Sequence, residues 1–156
     1  MKSITLEIFS DDDLELFEKW LQKDYILKWY ENPDDWLYEV KNRNGEFNFI
    51  KHFIVKIDAQ KFGFCQYYDC YHAQEEWYKI SEPNRTYSID YLIGEENYLN
   101  KGYGKEIIKQ LIEKIKIING KEIIVQPDME NTPSQRILTA NGFIFDKDRG
   151  YYRLVV

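Results

Sequence analysis

The sequence predicts a mixed α/β fold in one domain spanning residues 1–156. Three observations predict it. Several short segments, 4–9 and 87–93 among them, alternate or run apolar over lengths that suit strands. Residues Ile107, Ile108, Leu111, Ile112 and Ile115 instead form a stripe at helical spacing, with Lys105, Glu106, Lys109, Gln110, Glu113 and Lys114 opposite. No internal repeat, linker or low-complexity tract divides the 156 residues, a length that suits one compact core.

The elements follow in order. Residues 4–9 read as a strand. Asp11, Asp12 and Asp13 then cap a helix that carries Leu14, Phe17, Trp20 and Leu21 on one face. The stretch WYENPDD breaks the chain, and Pro33 with Asp34 opens a second helix through Trp36, Leu37 and Val40. KNRNGEFN is a loop. Residues 52–57 and 62–71 read as strands joined by the turn DAQK. AQEEWYKISEPNR is a long polar loop, of a length that often carries function. Residues 87–93 form a strand that stops at Gly94. The striped helix exits at Gly120, and residues 122–125 form a short buried strand. NTPSQRILTANGF reads as a third helix with Pro133 near its start and Gly142 after its end. Residues 143–145 and 151–155 close the chain as strands around a turn at 147–150.

Composition excludes several classes. With 44% hydrophobic and 31% charged residues the chain is globular and not disordered. No apolar run approaches the roughly 20 residues that span a bilayer, and the N-terminus lacks a signal-peptide core. A formal net charge of −6 argues against nucleic acid and suits a cationic substrate. Cys65 and Cys70 share one predicted strand on opposite faces, so no disulfide is expected, and free buried thiols fit the cytoplasm. No second cysteine or histidine completes a metal site beside Cys70 and His72, and His52 and His72 are read as structural or exposed. Aromatic residues make up 17%, more than such a core needs, so some are expected to line a pocket.

The stretch NYLNKGYGKEIIKQLIEKI places Gly102 and Gly104 at the mouth of a long helix, where glycine weakens helical structure. A helix start exposes unpaired N–H groups and the positive end of the dipole. Glycines there let a phosphate approach, and Lys101 and Lys105 add positive charge. Spacing alone leaves a tight turn as the alternative. A Walker loop is excluded because Glu106 follows Gly-Lys, and a dinucleotide fingerprint because only two glycines occur, late in the chain.

At these residues the sequence resembles the GNAT acetyltransferases. Leu99-Asn100-Lys101-Gly102-Tyr103-Gly104 resembles their Gln/Arg-x-x-Gly-x-Gly/Ala turn, with Leu99 at the departing first position. NTPSQRILTANGF resembles their Asn-x-x-Ser…Asn-Gly-Phe helix. Within the family, SIDYLIGEENYLNKGYG, FGFCQYYDCY and WLQKDYILKWYENP resemble segments of the aminoglycoside 6′-N-acetyltransferases, with Asn100 replacing the first loop glycine.

The resemblance implies a central mixed, mostly antiparallel sheet flanked by helices, with acetyl-CoA as co-substrate in the cleft between central strands. It implies cofactor contacts from Leu92, Ile93, Lys101, Gly102, Tyr103, Gly104, Lys105, Asn131 and Ser134. A backbone N–H near Leu92 or Ile93 would steady the thioester oxygen. Asp90 would take the proton of the attacking amine. Leu138 stands where many members carry a tyrosine acid, which leaves Tyr152 as the substitute. Trp29, Tyr30, Gln66, Tyr68, Trp77 and Asp90 would contact the substrate. The implied partner is a small cationic amine such as an aminoglycoside, with no nucleic acid, membrane or metal, for a cytoplasmic monomer or homodimer. A GNAT acting on a protein N-terminus or ribosomal protein, and a non-catalytic CoA sensor, are the other readings.

Overall fold

The computed structural model describes residues 3–156. The chain runs β1 (Thr5–Ile8), α1 (Leu14–Leu21), α2 (Asp24–Leu27), α3 (Pro33–Lys41), β2 (Ile50–Ile57), β3 (Gln60–Asp69), α4 (Cys70–Ala73), β4 (Thr86–Ile93), α5 (Tyr103–Ile117), β5 (Glu122–Val125), α6 (Thr132–Ala140), β6 (Ile144–Asp146) and β7 (Tyr151–Val155). Among the described residues, seven strands form one sheet in the order β1-β2-β3-β4-β5-β7-β6. All neighbours are antiparallel except β4 and β5, which run parallel.

Strand alternation gives the sheet two apolar faces. Phe53, Val55, Cys65, Tyr67, Ile89 and Ile123 pack against the α5 stripe, where Ile107, Ile108, Leu111, Ile112 and Ile115 are buried as predicted. Ile54, Phe64 and Leu92 face the other way, against Phe17, Trp20 and Leu21 of α1 and Leu37 and Val40 of α3. The helical layers therefore sit on opposite sides of the same strands.

Several local expectations are corrected. Asp11–Asp13 is itself a 3-10 turn with Ser10 at its N-cap; Asp13 stands at the N-cap of α1, and its Oδ2 accepts the Ser10 backbone N–H at 2.9 Å. The predicted strand 62–71 ends at Asp69, because Asp69 accepts the backbone N–H of Tyr71 and caps α4. Cys70 thus begins a helix and does not share a strand with Cys65; both thiols are free and buried. The left-handed residue that ends α5 is Asn119, with φ 65°, while the Gly120 N–H returns to the Ile115 carbonyl at 2.9 Å. The short helix α2 has no counterpart in the sequence reading.

Gly94 ends β4 because nothing larger fits there. A Cβ on Gly94 would lie 2.1 Å from the Trp20 ring, which is fully buried. Gly94→Ala should lower unfolding stability by about 1–3 kcal/mol through overpacking. Gly45→Ala, whose Cβ would meet only the Asn42 carbonyl oxygen at 3.9 Å, should change it little. Chemical denaturation of both variants checks this, and equal effects would contradict the packing account.

Candidate active site

β4 and β5 pair over only two positions, Thr86 with Glu122 and Tyr87 with Ile123. Beyond them the strands part, and one long edge of β4 has no strand beside it. The Gly94 N–H donates to the Phe62 carbonyl at 2.7 Å, which fixes the phase of the β3–β4 ladder. Asp90 and Leu92 therefore turn their backbone groups toward β3, while Tyr91 and Ile93 turn theirs into the gap. Their carbonyls are already taken. The Tyr25 hydroxyl donates to the Ile93 carbonyl at 2.8 Å, and the Tyr30 hydroxyl to that of Tyr91. The amides of Tyr91 and Ile93 remain to face the cleft. Leu92 lines the cleft too, but its amide is committed to β3, so of the two expected donors Ile93 is the one in place.

A cavity of about 340 Å³ opens beside this edge. Its far wall is the start of α5. Gly102 sits at the N-cap with φ 84° and Asn100 precedes it at φ 59°. Asparagine tolerates the left-handed region better than other non-glycine residues, which accounts for Asn100 at this φ. Gly102, Tyr103, Gly104 and Lys105 line the cavity with the first amides of α5, and Asn131 and Ser134 line it from α6. The Asn131 side chain caps α6 by accepting the Ser134 N–H at 3.2 Å. Lys101 is exposed and lies outside the lining. The orphan amides, the left-handed entrance and the unpaired β4 edge fit a phosphorylated, amide-bearing co-substrate.

On the other side of the gap lies a second cavity of about 360 Å³. It brings together Gln66, Tyr68, Trp77 and Asp90 as the sequence reading expected. It adds Trp36 and Glu39 from α3, and Phe47, Phe49 and Glu75 from loops. The Tyr68 hydroxyl donates to Glu75 Oε1 at 2.5 Å, while the Tyr78 hydroxyl donates to the Cys70 carbonyl at 2.7 Å and accepts the Glu75 N–H. Asp69 accepts the backbone N–H of Asn84 at 2.8 Å as well as that of Tyr71, so both ends of this loop are pinned. Glu39 was missed because a glutamate on a polar-looking helix carries no signal of its own. Trp29 and Tyr30 do not reach this cavity. They line the first cavity and a connecting one of about 170 Å³, because α2 and its following turn hold them over Tyr91.

Asp90 stands where the cavities meet. Gln66 Nε2 donates to its Oδ2 at 2.9 Å. Burial, the largest cause, raises its pKa to about 8, with the Gln66 bond opposing and the charges of Glu75 and Glu39 adding to it. The Tyr30 hydroxyl is pushed well above its ordinary value, first by burial and then by the charge of Asp90. Tyr152 lines none of these cavities; its hydroxyl donates to Gln135 Oε1 at 3.1 Å. Leu138, at the place of the usual tyrosine, is buried and lines the connecting cavity.

A family model described as an acetyltransferase (GNAT) domain matches residues 10–149. The chain belongs to the GNAT acetyltransferases. The aminoglycoside N(6′)-acetyltransferase type 1 of Klebsiella pneumoniae is 22% identical over 150 residues, covering 90% of this chain and 74% of its own. The structure of AAC(6′)-Ib with ribostamycin and coenzyme A superposes with a TM-score of 0.83 at 21% identity, covering 99% of this chain and 94% of that one. The spermidine N-acetyltransferase of Vibrio cholerae, solved with CoA and spermine, gives 0.74 at 16% identity, covering 97% and 95%. These solved structures share the fold of this GNAT acetyltransferase, whose family co-substrate is acetyl-CoA. Among the described residues, no helix is long and apolar enough to cross a membrane.

A Cβ on Gly104 would lie 2.9 Å from Ile137 Cδ1 and 3.1 Å from the Tyr91 hydroxyl. The obstruction thus falls on the walls between α5, α6 and β4. Gly104→Val should weaken acetyl-CoA binding about tenfold or more by calorimetry. Unchanged affinity would remove this gap from the site.

The raised pKa of Asp90 also bears on stability. Between its ordinary 3.8 and about 8, the folded protein keeps a proton that the unfolded chain has lost. Its contribution to stability therefore falls as pH rises through that window. Asp90→Asn should be more stable than the parent at pH 7.5, with a smaller difference at pH 4.5, in denaturation at both values. A variant less stable at pH 7.5 would contradict the buried-carboxyl account.

Proposed function

We propose that this GNAT acetyltransferase transfers the acetyl group of acetyl-CoA to the 6′-amine of an aminoglycoside or a similar polycationic small molecule. The observation that carries this reading is the second cavity, where Asp90, Glu39 and Glu75 converge between Trp36 and Trp77. Carboxylates and aromatic faces together suit an amine-rich acceptor. The curated relative named for the N(6′) position and the fold shared with a ribostamycin complex support the same class. Two free buried thiols fit a reducing compartment, so the chain is taken as one cytoplasmic domain acting as monomer or homodimer.

Each group then has one task. Asp90 takes the proton of the acceptor ammonium, and a base whose pKa lies near the working pH is well matched to that step. The freed amine nitrogen bonds to the thioester carbon, and the carbon–sulfur bond breaks. The amide of Ile93 donates to the thioester oxygen as its charge grows, and the amide of Tyr91, two residues back on the extended strand, is left for another acceptor of the co-substrate. An ordinary thiol pKa of about 8.5 lets the sulfur leave without a dedicated acid, so the distance of Tyr152 from the cleft is no obstacle.

Acetyl-CoA turnover, read as free thiol, tests the proposal. Release is expected with kanamycin and not with its 6′-hydroxyl analogue. Asp90→Asn should lose about 10²- to 10⁴-fold in turnover while keeping acetyl-CoA affinity. Release only with peptides or polyamines would overturn the aminoglycoside reading, and full activity in Asp90→Asn would overturn the base.

A further inference from the structure

Four side chains from one short segment reach the free edge of β4 and the turn after it. Trp20 Nε1 donates to Glu95 Oε2 at 2.5 Å, Lys23 Nζ to the Gly94 carbonyl at 2.6 Å and the Tyr25 hydroxyl to the Ile93 carbonyl at 2.8 Å. The Tyr30 hydroxyl donates to the Tyr91 carbonyl. Residues 20, 23, 25 and 30 thus meet 95, 94, 93 and 91 in antiparallel order, as a neighbouring strand would. The contacts to the backbone all go to carbonyls, which leaves the β4 amides to the cleft. Ile26, 2% exposed, anchors the segment in the apolar cluster that holds Leu92, and the Trp36 ring packs edge-on against Tyr30 at 5.1 Å. The acceptor side differs. Among the described residues, the buried side-chain atoms without a hydrogen-bond partner are Glu39 Oε1, His52 Nε2, which faces it at 3.5 Å, and Gln66 Oε1, and none of them lies on the clasped edge.

We propose that Lys23, Tyr25 and Tyr30 are positioning residues for acyl transfer, which hold the β4 edge so that the Ile93 amide meets the thioester oxygen in the transition state. This rests on the reading that transfer takes place in the gap. The Ile93 N–H belongs to the peptide that joins Leu92 to Ile93. The peptide before it carries the Tyr91 carbonyl, held by Tyr30, and the peptide after it carries the Ile93 carbonyl, held by Tyr25. The donor is therefore fixed from both sides, and Lys23 holds the carbonyl beyond. Loss of one clasp leaves a carbonyl that must find water, and the aim of the amide between them loosens. Charge on the thioester oxygen grows only toward the transition state, so the cost falls on turnover more than on coenzyme affinity. Burial, with the charges of Glu96 and Glu95, raises the Tyr25 hydroxyl to about 12, and burial raises Tyr30 well above its ordinary value, so both stay donors throughout the neutral range.

The test separates kcat from KM. Tyr25→Phe and Tyr30→Phe should each lower kcat with kanamycin about 10- to 100-fold and keep the KM of acetyl-CoA within about threefold of the parent. Lys23→Met should lower kcat about three- to tenfold, and Lys23→Arg, which keeps a donor, should recover most of it. Tyr38→Phe is the control, since it loses an exposed hydroxyl that donates to Glu46 at 3.2 Å, and it should match the parent. Unfolding midpoints confirm that each variant folds. Amide exchange at Ile93 under saturating acetyl-CoA needs no acceptor, and the protection there should be weaker in Tyr25→Phe than in the parent. A KM that rises while kcat holds, or a kcat in both clasp tyrosine variants equal to that of Tyr38→Phe, would overturn the positioning role. No turnover of kanamycin by the parent would defeat the proposed acceptor and leave the exchange result to decide. Equal protection of Ile93 in parent and Tyr25→Phe then overturns the clasp, and weaker protection in the variant upholds it.

Discussion

Two positions of parallel pairing join β4 to β5, and the site depends on their being so few. A longer ladder would take the outward amides of Tyr91 and Ile93 into the sheet, and the space that connects the cavities would close. β5 is held instead by β7, over four antiparallel positions from Glu122 to Val125. β4 is held by β3 over seven, from Tyr87 to Ile93. The sheet is therefore secure on each side of a deliberate gap. An open strand edge inside a protein is costly, since each buried backbone group wants a partner. The tyrosines of the N-terminal helical region reduce that cost. Tyr25 and Tyr30 reach across to the carbonyls of Ile93 and Tyr91, leaving only donors to face the cleft.

The same gap sets the chemistry. It makes Asp90 a boundary residue, lining both the second cavity and the one that connects it to the first. Enclosure raises its pKa toward the working range, and the neighbouring carboxylates reinforce the shift. The burial that suits Asp90 to the base role proposed for it makes it a poor contributor to folding near neutral pH. The unpaired atoms of Glu39, His52 and Gln66 show the same pattern. Polar cost is concentrated on the acceptor side of β4, beside otherwise dense apolar packing.

Much of this was legible in the sequence where the signal is local. The α5 stripe, the short strand β5 and the last strand β7 follow from period alone, and the glycine loop and Asp90 lie close together in the chain. Ends were less legible, because caps are decided by single side-chain bonds: Ser10 with Asp13, Asp69 with Tyr71, and the left-handed Asn119. The acceptor cavity was least legible. Glu39, His52, Gln66 and Glu75 come from four separate segments and meet only through sheet register and the seat of α3. His52 read as an ordinary structural histidine because nothing near it in the sequence reveals the glutamate that faces it. Trp29 and Tyr30 were expected beside Gln66 and Tyr68 but line the cavity at the α5 entrance and the connecting one instead, a distinction set by the turn after α2. Tyr152 was expected to stand in for the missing tyrosine acid, yet it lines none of the three cavities and its hydroxyl donates to Gln135 of α6.

The central claim is that the gap-facing amides of β4 are unpaired in the free enzyme and become donors to the coenzyme. Amide hydrogen exchange at residues 91–93, measured with and without saturating CoA, tests it most directly. The account predicts fast exchange at Tyr91 and Ile93 in the free protein, strong slowing with CoA, and slow exchange at Leu92 in both states. Protection of Ile93 without CoA, or rates at Tyr91 and Ile93 that saturating CoA leaves unchanged, would contradict it.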